Sequence, residues 1–88
     1  MSILDNVPKQ EYFNAANGTV IKSLLELEPA LELMDDVTFA HHVNKEKNDF
    51  ATWVRDCIRD DDLAETLEGI KNKQKMQIAL LRHILSLK

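Results

Sequence analysis

A chain of 88 residues holds one domain, and 44% hydrophobic with 30% charged residues is the composition of an ordinary folded protein. No apolar run approaches the roughly 18 residues of a membrane span, MSILDNVPKQ lacks the basic start and apolar stretch of a signal peptide, and the lone cysteine, Cys57, excludes an internal disulfide; the expected compartment is the cytoplasm. The net charge of −4 divides unevenly: residues 1–70 hold all fifteen acids and six bases, whereas 71–88 hold five bases and no acid.

Residues 1–10 show no period; they read as an arm, flexible in part, that Pro8 keeps from being helical. Residues 11–23 read as a β-hairpin. Tyr12 and Phe13 precede, and Thr19, Val20 and Ile21 follow, an Asn17-Gly18 pair suited to a two-residue type I′ turn. A lone ribbon is marginal in water, so it must lie on helices.

Residues 24–70 read as short helices. Ser23 and Glu26 have the spacing of a capping box, and Leu24, Leu27, Leu31 and Met34 recur at helical spacing, which predicts a helix over about 24–35 with a distortion before Pro29. Asp36 is the expected cap of the next helix, with Phe39, Ala40 and Val43 inside. NKEKN is a connection, after which Asn48 or Asp49 starts a helix carrying Phe50, Trp53, Val54, Cys57 and Ile58 on one face. Asp60-Asp61-Asp62 begins another helix, with Asp62 and Glu65 as a capping pair, Leu63, Leu67 and Ile70 as its stripe and Gly69 as its stop. Asn72 caps the last helix, an amphipathic one within residues 72–87. The fold expected is mainly α: a compact bundle of about five short helices preceded by an N-terminal β-hairpin.

The segment HHVNKEKNDFATW concentrates the polar chemistry of the chain. Zinc needs three or four ligands, but His41 and His42 are neighbours and on a helix point about 100° apart. Cys57 belongs to the apolar face of another helix and His83 is remote, so no metal is expected. One imidazole is expected to bond the NKEKN backbone while the other is solvated. Catalysis lacks a frame: there is no glycine-rich phosphate loop, no G-x-S-x-G elbow, and a core-facing thiol is inert. No catalytic residue and no cofactor are implied. Phe39, Phe50 and Trp53 are expected to meet beneath the loop, which makes the segment a hinge between helices.

The last helix carries more apolar surface than one core needs. With Met76 at 0° and 100° per residue, Met76, Leu87, Leu80, Ile84, Leu81, Leu85 and Ile78 spread over about 200°, against the roughly 100° stripe of a surface helix. Two surfaces are therefore expected to be covered: one is the domain's own core, and the other is either the same small domain wrapping the helix from its second side or a helix of another chain. Met76, Leu80, Leu81, Ile84, Leu85 and Leu87 are the candidate interface. A membrane-surface role is disfavoured because the basic residues cluster at the helix start. DNA binding through Lys71, Lys73, Lys75 and Arg82 is disfavoured by the apolar helix and by the three aspartates opening its neighbour.

The series Phe13, Asn17-Gly18, Ile21, Ser23-Leu24, Leu27, Leu31, Met34 and then FAHHVNKEKNDFATW to Leu63-Ala64 resembles a family of small prokaryotic domains of unknown function with a FxHHVNxxKNDFxxW-like core. The likeness covers about residues 12–66. It implies no activity; it implies that hairpin, hinge and tryptophan helix form one unit. The expected function is a protein–protein interaction module that forms a homo-oligomer or docks a protein partner through its C-terminal helix. The alternatives are a ligand or metal site on His41, His42, Asn44 and Asp49, and nucleic-acid binding through the basic C-terminal segment.

Overall fold

The computed structural model describes residues 3–87; Met1 and Ser2, at the start of the expected arm, and Lys88 lie outside them. A 3-10 turn at Lys9–Glu11 leads into a two-stranded antiparallel hairpin, β1 (Phe13–Asn14) and β2 (Val20–Ile21). Five helices follow: α1 (Leu24–Leu33), α2 (Asp36–His42), α3 (Asp49–Trp53), α4 (Asp61–Glu68) and α5 (Lys73–Ser86), with a π turn (Val54–Ile58) extending α3. Among the described residues no helix is long and apolar enough to cross a membrane.

The hairpin forms as expected, but its turn differs. Phe13 pairs with Ile21 and Asn14 with Val20. The Gly18 N–H donates to the Ala15 carbonyl and the Ala15 N–H to the Thr19 carbonyl, each at 2.9 Å. Gly18 alone has positive φ, at 91°, so Ala16-Asn17-Gly18 is a three-residue loop and not a type I′ pair. The register explains the choice. A two-residue turn would slide the strands by one residue and set Phe13 against Lys22. The observed register sets it against Ile21, and both side chains are buried.

Each helix begins on a polar side chain that accepts a backbone N–H. Ser23 accepts from Glu26, Asp35 from Thr38, Asn48 from Ala51, Asp60 from Leu63 and Asn72 from Lys75. Two of these correct the sequence expectation: the caps are Asp35 and Asp60, not Asp36 and Asp62. Where acids run consecutively, any of them suits the chemistry, and the entry of the chain decides which one caps. Glu26 reaches back to the Lys22 N–H at 2.9 Å instead of to its own cap residue.

Helix α1 is continuous through Pro29, as the expected span over about 24–35 requires. Pro29 is exposed, and its lost N–H removes one bond, to the Leu25 carbonyl. In α2 the inner face is Thr38, Phe39 and His42, with Val43 just beyond, while Ala40 is exposed. The π turn shifts the expected apolar face of α3. The Arg59 N–H donates to the Val54 carbonyl five residues back, at 2.7 Å, and the extra residue leaves Cys57 half-buried instead of in the core. Arg59 ends the turn in a left-handed conformation, φ 67°.

The core runs from Phe13 and Ile21 through Leu24, Leu27 and Leu31 of α1 to Phe50 and Val54, Leu63 and Leu67, and Met76, Leu80 and Ile84 of α5. Helix α1 packs chiefly on α5, and α3 on α4. Replacing Pro29 by alanine restores the Leu25 bond on an exposed face. Urea unfolding should then show about 1–3 kcal/mol more stability; an unchanged or lower midpoint would mean that Pro29 costs the helix nothing.

Candidate functional site

The HHVNKEKND segment lies where α2 ends and α3 begins. Val43 and Asn48 form an isolated antiparallel bridge, and the Asn44 N–H donates to the Lys47 carbonyl at 2.9 Å, so the chain reverses over Lys45 and Glu46. Asn44 holds the turn from within: its Oδ1 accepts the Glu46 N–H at 3.0 Å and its Nδ2 donates to the carbonyls of Ala40 and His41. Asn48 caps α3 through Oδ1. Its Nδ2 donates to the Leu67 carbonyl at 2.8 Å and more weakly to that of Ile70, tying the hinge to the end of α4.

His42 is only 5% exposed and both ring nitrogens are bound. The Ala16 backbone N–H points at Nε2 across 2.9 Å. A backbone N–H can only donate, so Nε2 accepts and the ring proton is on Nδ1. There it donates to Asp49 Oδ2, also at 2.9 Å, which takes a further bond from Lys47 Nζ. Phe13 and Phe50 flank the imidazole at centroid distances of 5.0 and 5.4 Å. Partial burial opposes ionisation of Asp49, but the bonds from His42 and Lys47 outweigh it and hold the carboxyl below its ordinary value.

The ring cluster is centred differently from the sequence expectation. Phe13 of the hairpin stacks on Phe50 at 4.9 Å and meets Trp53 edge-on at 5.8 Å, while Phe39 stacks on Phe50 at 6.1 Å. The Trp53 Nε1–H donates to the Glu11 carbonyl at 2.7 Å.

His42, Asn44 and Asp49 are thus brought together, but with one another, with Lys47 and with backbone. The expectation that one imidazole bonds the NKEKN backbone is corrected: His42 bonds the hairpin and Asp49, and His41 is exposed with only an edge contact to the His42 ring. Among the described residues no group of three or more histidine, cysteine, aspartate or glutamate side chains is placed to hold a metal ion. The Ala16 partner had no signal in the sequence, because the bond spans 26 residues.

The model of one protein family, described as a family of unknown function (DUF5752), matches residues 9–87. The chain belongs to this family. The match takes in the hairpin, the hinge and α5, well beyond the segment on which the resemblance was read. No curated protein and no solved structure matches the chain.

On α5 the six candidate contact residues separate. Met76 and Leu80 are fully buried and Ile84 is nearly so, filling the chain's own core. Leu81 and Leu85 face outward, 44% and 65% exposed, and Ile78 joins them at 51%. Leu87 is exposed because it lies past the helix end, on the core side of the wheel. The basic residues also divide: Lys71 Nζ donates to the Asn44 carbonyl and Lys73 Nζ to the Met34 carbonyl at the end of α1, while Lys75 and Arg82 are exposed.

Truncating His42 to alanine leaves the Ala16 N–H without its acceptor and opens a void between two rings. A loss of about 2–4 kcal/mol is expected in urea unfolding, and a loss below about 1 kcal/mol would show the contact to be incidental. Asp49 has a folded-state pKa below its unfolded one. Its contribution is therefore complete above the ordinary carboxylate value and is lost as pH falls through the depressed one. From about pH 5 downward the wild type should lose stability more steeply than Asp49→Asn; equal slopes would refute the assignment.

Proposed function

We propose that this protein is a binding module and not an enzyme, working in the cytoplasm, and that it pairs with a second copy of itself through the outer face of α5. The observation that carries this is the row Ile78, Leu81, Leu85. These residues are spaced i, i+3, i+7 and share about 60° of the helix wheel. The row lies about 130° from the buried row Met76, Leu80, Ile84. An α-helix with one apolar stripe in its own core and a second in water is incomplete as a monomer.

A second copy fits the row better than an unrelated helix would. Around a two-fold axis near Leu81, Ile78 and Leu85 exchange places, so the row is complementary to itself. Stability of a chain this size is only about 4–13 kcal/mol, and a covered stripe adds to it. The contact is small. With Leu25 and Leu33 of the neighbouring α1 exposed as well, it suits a reversible dimer.

The non-enzymatic part rests on the hinge and on Cys57. The polar atoms of His42 are engaged in holding the fold. Burial, with the charges of Glu11 and Asp56, pushes the Cys57 thiol up despite Arg59, away from the nucleophilic form.

Light scattering should give a mass approaching twice 10.1 kDa at high micromolar concentration, and the Leu81→Asp/Leu85→Asp variant should remain folded and monomeric. Arg82 flanks the row and meets its own copy near the axis, so added salt should tighten the pair. Docking of an acidic partner on the same face would weaken with salt instead. A single species of monomer mass at about 0.5 mM ends the dimer reading.

A further inference from the structure

A cleft of about 330 Å³ opens between the N-terminal arm and the π turn. Ile3, Val7, Pro8 and Ile58 give it an apolar lining, to which Asp5, Asn6, Glu11, Cys57 and Arg59 add polar groups. Its volume is at the lower end of small-molecule sites.

Both walls are fixed. The Val7 N–H donates to the Lys22 carbonyl at 2.9 Å and the Glu11 N–H to the Pro8 carbonyl at 2.8 Å, while the Glu11 carbonyl takes the Trp53 indole. Opposite, Arg59 is held by the bond from its N–H to Val54. It keeps a left-handed backbone with no glycine to ease it, a costly conformation for a long side chain.

The charges are arranged for a guest. Glu11 and Arg59 line the same cleft as the Cys57 thiol. Yet among the described residues neither side chain takes part in an ion pair or a hydrogen bond. A carboxylate and a guanidinium that line one small, partly apolar cleft without pairing match a molecule with an anion and a cation at one end and an apolar body.

We propose that this cleft binds a small zwitterion of the amino-acid class with an apolar side chain. Its carboxylate is held by Arg59, its ammonium by Glu11, and its side chain lies against Val7 and Ile58. The protonated thiol of Cys57 is part of the wall, and binding involves no covalent step.

The test is an amide NMR titration of the full chain with L-leucine, N-acetyl-leucine and leucinamide, each to about 10 mM. Leucine should give saturable shifts confined to residues 5–11 and 57–59. Each derivative, lacking one charge, should bind at least about five-fold more weakly. Arg59→Gly relieves the left-handed strain and should be at least as stable as the wild type. Glu11→Gln leaves the backbone carbonyl that Trp53 uses, so it too should fold. Both should lose at least about five-fold in leucine affinity. Absence of saturable shifts with leucine, or unaltered binding in both folded variants, overturns the proposal.

Discussion

The bond from the Ala16 N–H to His42 Nε2 sets the order of everything around it. It joins the hairpin loop to the end of α2, and it dictates which ring nitrogen carries the proton. The proton on Nδ1 then selects Asp49, which stands in the first turn of α3 beside the Asn48 cap. The same ring is wedged between Phe13 and Phe50. One imidazole therefore links the hairpin to two successive helices, across 26 residues of chain on the hairpin side. The short hairpin depends on this, since two residues per strand cannot hold it alone.

Polar side chains elsewhere perform the same service for neighbouring joints. Asn48 connects the hinge to the end of α4, Lys71 the start of α5 to the hinge, and Lys73 the start of α5 to the end of α1. His83 on α5 reaches Asp60 Oδ2 at 2.6 Å while Oδ1 of the same carboxylate caps α4. Arg55 of the π turn pairs with Glu68 of α4. In a chain with a small core, helix ends are a large fraction of the structure, and their unpaired backbone groups must be satisfied by side chains. That is the physical reason an Asn- and His-rich segment arises here without a metal-like ligand geometry.

How far the sequence disclosed this depends on distance along the chain. Ser23, Asn48 and Asn72 were readable as caps because each acts three residues ahead. Asp35 and Asp60 were displaced from the expected caps because a run of acids is degenerate and only the backbone path breaks the tie. The hairpin was legible from its flanking residues, but its register depended on Ile21, buried with Phe13 against helices whose position the sequence does not state. The bonds of His42 to Ala16 and of Trp53 to Glu11 link residues 26 and 42 apart and leave no local trace. The double stripe of α5 was legible as an excess of apolar arc. Which residues belong to which stripe became plain only once Met76, Leu80 and Ile84 were seen in the core.

The cleft was invisible for a different reason. Helical periodicity assigns Cys57 to the core beside Phe50 and Trp53, and it does so correctly for a regular α-helix. The widened turn at Val54–Ile58 breaks that periodicity by one residue, moves Cys57 to the surface of the core and forces Arg59 into the left-handed region. A departure from the helical repeat that sets a non-glycine residue at positive φ is unfavourable by itself. It persists because the Val54 carbonyl accepts both the Arg59 and Asp60 N–H groups, at 2.7 and 3.3 Å, and because Asp60 must then stand where α4 begins. The same local distortion therefore starts one helix and opens a recess beside another, and the recess follows from the path the chain takes into α4.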